Sequence, residues 1–321
     1  MKAAVNARYG PPEVVRVVEV DKPVIGGHDV LVRVHATTVN RTDCGFRAAK
    51  PFVTRFLTGV IRPRAMILGN EFAGVIEEVG DRVTAFTLGD RVFGFSAGRF
   101  GAHAEYLAMP DDGPIATMAG NVAFDQAAAA NEASHYALTC ITGAKIHGGQ
   151  HVLVYGATGG IGSAAIQLLK SMHVHVTAVC ATQHVDLVAG LGADKVVDYL
   201  TSDFTRDEQI YDVIFDAVGK TTLWRCRHLL KPRGIFVSTD AGPMWQNLLL
   251  IPLTALLPGK RVIIPVKPHS QDQVRFFRQL IEAGQFTPVI DRVYPLDRIV
   301  DAYRYVDTGR KIGNVVISIR A

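Results

Sequence analysis

Three short stretches hold residues whose types and spacing could do chemistry. In "VYGATGGIG", Gly156, Gly159 and Gly162 stand between an apolar run and residues Ile161, Ala165, Leu168 and Leu169 at helical spacing. A glycine turn that opens a helix near Gly160 lets a pyrophosphate approach the backbone, where N–H groups and the helix dipole hold it. Gly156, Thr158, Gly159, Gly160, Ile161 and Gly162 are therefore candidate dinucleotide-binding residues. In "ILGNEFAGVIEEVG" one amide, Asn70, and one acid, Glu71, interrupt an apolar, glycine-spaced stretch. Metal ligation, catalysis and plain turn-and-strand chemistry would each use such a pair. In "TVNRTD", Asn40 and Asp43 follow a strand-like run and pose the same question.

The elements that must position these residues change period along the chain. The first third is β-rich: "VLVRVHATTV", "GVIEEVG" and "GDRVFGF" are short β-branched or alternating runs separated by Gly and Asp turns, as in a compact barrel-like domain. From about residue 123 to 266 strands alternate with helices. "HVLVY", "VHVTAVC", "KVVDY", "YDVIFDAVG" and "IFVSTDAG" are the strands, and "HVDLVAGLGA" and "TTLWRCRHLLKPRG" are two of the helices between them. Right-handed crossovers then give a parallel sheet covered on both faces, an α/β doubly wound domain. The tail adds two amphipathic helices and two strands. Val218 and Thr239 fall at the carboxyl ends of parallel strands, where ligands of such sheets bind.

Composition narrows the classes. A chain of 321 residues exceeds one ordinary core, and 48% hydrophobic with 20% charged residues is globular rather than disordered. The formal charge of +4 is scattered, with no basic run interleaved by aromatics, so no nucleic-acid partner is expected. "LLLIPLTALLPG" is too short and proline-broken to span a bilayer and suits a buried or subunit-contact segment, and "MKAAVNARYGPPEVV", with no apolar h-region, does not read as a signal peptide. Cys44, Cys140, Cys180 and Cys226 form no C-x-x-C pair, which points to a reducing, cytoplasmic setting. The second strand of the doubly wound domain ends in "VCATQH" without an acid to hold a ribose hydroxyl. Thr182, Gln183 and His184 could instead donate to a 2′-phosphate, which favours NADPH while leaving NADH possible.

In order along nearly the whole chain, "MKAAV", "VLVRVHATTVNRTD", "LGNEFAGVIEEVG", "LGDRVFGF", "FGAHAEYL", the glycine turn, "LGADKVVDY", "YDVIFDAVG" and "GRKIGNVVI" resemble the medium-chain dehydrogenases/reductases, in their zinc-free quinone-oxidoreductase branch. The resemblance implies a GroES-like β-barrel catalytic domain over 1–122, completed by the tail 267–321, with a Rossmann domain over 123–266 inserted between. It further implies a nicotinamide in the cleft between domains, and a homodimer. Zinc-dependent members carry Cys where this chain has Asn40 and His where it has Asn70. Amides are poor zinc ligands, and "AANEASHYALTCI" supplies no cysteine at the third position, so no metal is expected. Without a Lewis acid, plain alcohol oxidation loses its main device, whereas hydride addition to a quinone or α,β-unsaturated carbonyl yields a delocalised oxyanion that hydrogen bonds can hold.

By the same resemblance Asn40 lies near nicotinamide and substrate, with an amide for the developing oxyanion; an Asx turn is the structural alternative. Asp43 could orient Asn40 or relay a proton, or be an exposed helix starter. Glu71 reads as a buried acid bonded to neighbouring donors. Tyr136 replaces a threonine common beside the nicotinamide, and it or His135 could supply the proton. His184 and Tyr199 resemble positions framing the adenosine phosphate, and Lys311 and Asn314 the closing contact to the cofactor. The expected activity is zinc-independent, NADPH-dependent reduction of a quinone or enone. The competing expectations are an NADPH-binding redox sensor with little turnover and a zinc-free alcohol or aldehyde oxidoreductase.

Overall fold

A computed structural model describes residues 1–319 apart from Val53, Ala97 and Asn121, with the side chain of Leu57 also outside the description. The chain divides into two compact units, one of Met1–Glu132 together with the chain from Pro268 onward, the other of Ala133–Lys267.

The first unit is built on strand Asp29–Val39, whose β-branched residues are buried along most of its length. It pairs antiparallel with Glu71–Val79, Tyr106–Pro110 and the terminal strand Asn314–Ser318. Arg91–Phe95, Ile115–Thr117 and Ile290–Pro295 extend this into a seven-stranded sheet. Val32, Val34, Phe72, Ile76, Val92 and Met109 pack on one side of it. Helix Ile299–Asp307 buries Ile299, Ala302, Tyr303 and Val306 against Val39, Cys44, Val315 and Ile317 on another. Each such aliphatic side chain contributes about 2 kcal/mol on leaving water. The expected division at 122 falls later, after Glu132. Helix Phe124–Ala128 packs on Asp29–Val39 and Glu71–Val79, and the backbone beyond it binds Glu71.

The second unit holds six parallel strands. In chain order they are His151–Tyr155, His175–Cys180, Lys195–Asp198, Tyr211–Asp216, Leu230–Ser238 and Arg261–Ile263. Across the sheet they run third, second, first, fourth, fifth, sixth. The order reverses between the first and fourth strands, and at that switch point a doubly wound sheet leaves a crevice outside its carboxyl ends. The helix expected over "TTLWRCRHLLKPRG" shortens to Leu223–Cys226 and one 3₁₀ turn, because Leu230 already begins a strand.

Candidate active site

Asn40 turns the end of Asp29–Val39 into helix Arg41–Ala48. Its backbone N–H donates to Asp43 Oδ2 at 2.8 Å, while Asp43 Oδ1 accepts from Gly69 N–H at 3.1 Å. Asp43 is fully buried rather than exposed, and its bond to the Asn40 N–H is one half of the capping box that starts this helix. The amide of Asn40 donates to Glu71 Oε2 and to Glu132 Oε2, each at 2.9 Å. The nitrogen must face these acceptors, since an amide oxygen there would oppose two carboxylates. Both N–H bonds are thereby used. The expected donation from Asn40 to an oxyanion is corrected accordingly: the amide joins two buried acids.

Glu71 is the centre of the arrangement. Its Oε1 accepts from the backbone N–H of Asn131 at 2.9 Å and of Glu132 at 2.6 Å, and its Oε2 also accepts from Thr38 Oγ1 at 2.5 Å. Glu132, absent from the sequence-based candidates, is the second acid. Its signal was a polar pair, Asn131 and Glu132, set in a run of alanines. Burial pushes the carboxyls of Asp43, Glu71 and Glu132 up, each to about 7. Repulsion from Glu132 adds to the shift of Glu71, and repulsion from Asp43 to that of Glu132. Lys311 is partly buried in the field of Glu132 and Glu71, and its ammonium donates to the carbonyl of Gly313. Burial lowers its pKa while the acids oppose that shift. Asn314 is tied back to Val289 O through its backbone and amide nitrogens. Among the described residues no group of three or more His, Cys, Asp or Glu side chains is arranged for a metal ion. Asn40 and Asn70 are amides and the lone pairs of Glu71 are taken, so the donor set does not suit Zn²⁺. Cys44 is buried and its thiol is pushed up by burial, away from the thiolate a metal needs.

Thr38 links this cluster to a buried histidine. His103 Nε2 donates to Thr38 O at 2.8 Å, and Tyr303 OH donates to Nδ1 at 3.3 Å. Gly69, at φ +86°, lets the backbone approach, for a Cβ there would lie 2.3 Å from the His103 ring. Burial lowers the pKa of His103 from 6.5 to about 4. The unfolded chain therefore binds the extra proton first, and this histidine's stabilising effect, complete above pH 6.5, is lost as pH falls to about 4. The loss reaches about 3 kcal/mol. A His103→Asn variant lacks this step. Urea unfolding of both proteins across that window should show curves that differ in slope, and parallel curves would refute the assignment.

In the second unit, strand His151–Tyr155 leads through the glycine turn into helix Gly160–Ser171. Gly156 has φ +83°, and a Cβ on it would meet Val218 Cγ1 at 2.8 Å; a Cβ on Gly162 would meet Gly156 O at 2.2 Å. No side chain caps the helix at Gly159, so its first N–H groups face the crevice end of the sheet. This tight turn, whose close packing requires glycine at 156 and 162, fits a dinucleotide pyrophosphate at the start of the helix. Val218 is carried on a turn whose N–H groups at 218, 219 and 221 bind the buried carboxylate of Asp216 at 3.2, 2.9 and 3.2 Å. Thr239 N–H bonds the Asp216 carbonyl, so both strand-end candidates meet at the same edge. Thr182, His184 and Tyr199 gather at the ends of the two neighbouring strands, with Tyr199 half exposed. Here the sequence reading missed an acid: Thr182 Oγ1 donates to Asp198 Oδ2 at 2.6 Å. That bond and the N–H of Leu200 hold the Asp198 carboxyl below its usual range, so a negative charge does stand at this edge. Asp198 lies on the adjacent strand, beyond the reach of a scan along "VCATQH". Tyr136 lies on helix Glu132–Gly143, edge-on to His135, whose Nε2 is bonded to Lys267 O at 2.9 Å.

Residues 26–119 match the alcohol dehydrogenase GroES-like domain and residues 191–317 the zinc-binding dehydrogenase family. The chain is 30% identical to the 2-methylene-furan-3-one reductase of Solanum lycopersicum over 99% of its own length and 79% of the relative. It belongs to the medium-chain dehydrogenase/reductase superfamily. Another member, the chloroplastic NADPH-dependent alkenal/one oxidoreductase of Arabidopsis thaliana, is 29% identical over the same shares. The quinone oxidoreductase of Coxiella burnetii superposes with a TM-score of 0.87 at 27% identity, covering 100% of this chain and 99% of that one. As a superfamily member with the GroES-like and Rossmann-type folds, the protein is an NAD(P)H-dependent oxidoreductase.

Proposed function

We propose that the protein reduces a quinone or an α,β-unsaturated carbonyl with NADPH and without zinc. The observation that carries this reading is that Asn40, at a position where zinc-dependent members carry a metal ligand, spends its amide on the buried acids Glu71 and Glu132. An acceptor that spreads the charge left by hydride addition needs no Lewis acid, which selects conjugated carbonyls and quinones over plain alcohols. The names of the relatives, a furanone reductase, an alkenal/one oxidoreductase and a quinone oxidoreductase, agree with that class.

When bound, reduced nicotinamide supplies the hydride. Gly156, Thr158 and the backbone of Gly159 to Gly162 hold the pyrophosphate, and Val218 and Thr239 border it. Thr182, His184 and Tyr199 take the adenosine end, where Asp198 tempers the preference for a 2′-phosphate by its charge. Asp43 and Asn40 position Glu71 and Glu132 rather than meet substrate, and the proton for the product oxyanion comes from the Tyr136 phenol. Tyr136→Phe is expected to lower kcat about a hundredfold with little change in the Kd of NADPH, read by stopped-flow and fluorescence titration; an unchanged kcat would place the donor elsewhere. The four buried, unpaired cysteines suit a reducing, cytoplasmic compartment.

The test of the activity is steady-state oxidation of NADPH and NADH by metal-stripped protein with a naphthoquinone, a simple enone and a plain aldehyde. Chelator-insensitive turnover of quinone or enone is the expected result. Tight NADPH binding with no turnover of any acceptor would favour a redox sensor.

The same reading includes a homodimer. Strand Arg261–Ile263 is the sheet's edge, and the neighbouring helix Gln246–Leu256 exposes Leu249, Leu253 and Leu256. Light scattering should give twice the chain mass, and Leu249→Glu with Leu256→Glu should return it to the monomer value; a wild-type monomer would refute the dimer.

A further inference from the structure

A second apolar surface, on the first unit, has a different chemistry. Phe52 and Phe56 are about two-thirds exposed, Val60 and Met66 more than half, and Ile61 is 90% exposed. Lys50, Arg62 and Arg64 are exposed among them. Arg55 lies over the Phe52 ring at 5.3 Å and the Tyr9 ring at 4.9 Å. Tyr9 fastens the segment by bonding Thr58 Oγ1 at 2.7 Å and Gly59 O at 2.8 Å, and Asn6 N–H bonds Met66 O. Neither contributing stretch, 1–12 or 44–70, contains a single Asp or Glu.

The helix Gln246–Leu256 offers a contrast. From 244 to 259 the chain has no charged residue at all, as suits a face that meets its own copy. The 50–66 surface mixes exposed aliphatic and aromatic side chains with cations of one sign, so two copies of it would repel. Phe52 and Phe56 could stack on a base, but Val60, Ile61 and Met66, the last two of them 90% and 51% exposed, would stay in water against a nucleic acid, whereas a bilayer buries all five. Apolar groups that can enter the acyl boundary, ringed by cations at headgroup level, match a bilayer carrying negative charge. We propose that this surface docks the protein on anionic lipid membranes as a peripheral contact. No helix among the described residues is long and apolar enough to cross one. Such docking would place a reductase where lipophilic acceptors concentrate, but the inference stands on the surface alone.

The test is co-sedimentation of the full chain with sucrose-loaded vesicles of pure phosphatidylcholine and of phosphatidylcholine with phosphatidylglycerol in equal parts. Binding only to the anionic vesicles, weakened by salt, is expected. Arg62→Glu with Arg64→Glu should weaken partitioning roughly thirtyfold or more. Phe52→Ser with Ile61→Ser should weaken it at constant charge. All these side chains are exposed, so matching melting curves will certify the fold of each variant. No binding to anionic vesicles at low salt, or equal binding by wild type and variants, overturns the proposal. So does a mass doubling that depends on Ile61 without vesicle binding, which would assign the surface to a second copy.

Discussion

Gly162→Ala is expected to weaken NADPH binding by roughly a hundredfold, the scale set by displacing a binding element by about 1 Å. The added Cβ would stand 2.2 Å from Gly156 O and 2.9 Å from Ala157 Cα, both backbone atoms of the turn. A flexible side chain could swing aside, but here the strand-to-helix turn itself must open. That moves the N–H groups of helix Gly160–Ser171 away from the position a pyrophosphate needs. Fluorescence titration with NADPH reads the affinity, and a thermal melt without cofactor reads the strain separately. Gly190→Ala is the control, because a Cβ there meets nothing within 4 Å. It should leave affinity unchanged and stability equal or slightly higher. Equal affinities for the two variants would mean that the turn is not the pyrophosphate site.

Glu71→Ala is expected to cost about 4 kcal/mol of folding stability, a large share of the 5–15 kcal/mol typical of a domain. The carboxylate accepts from Thr38, Asn40, Asn131 and Glu132, and each of these buried donors would lose its acceptor at about 1 kcal/mol or more. Glu71→Gln keeps the shape and one acceptor oxygen but turns an NH₂ toward donors, so about half the loss should remain. Urea midpoints with an unchanged slope would report this as stability rather than altered compactness. A loss under about 1 kcal/mol for the alanine variant would show that water replaces the carboxylate, and that the four donors are not held as a dry cluster.

The pattern of residues along the chain carried much of this protein into view. Period-2 and helical runs are local properties of backbone geometry, so the strands flanking the glycine turn and the alternation of strand and helix could be read directly. Gly156 and Gly162 were legible for a related reason: a position that admits no Cβ leaves a glycine in the sequence whatever surrounds it. Asn40 and Asn70 were likewise legible by residue type as amides, poor donors for zinc, at positions where zinc-dependent relatives carry ligands.

Other features depended on which distant segments meet. Asn40 as an oxyanion donor failed because Glu132, far along the chain, claims one of its two N–H bonds. Asp43 does cap the start of its helix, but Gly69 and the fold around it bury the carboxylate that the sequence leaves open to solvent. Asp198 escaped notice because strands adjacent in a parallel sheet are separated by a helix in sequence, so its contact with Thr182 exists only once the sheet is assembled. The sequence by itself determined the elements, the glycine cradle and the residue types at the metal positions, since backbone sterics and donor chemistry are local. Tertiary structure alone decided which acids are buried side by side and which amide joins them, because hydrogen-bond partners and burial are set by long-range packing.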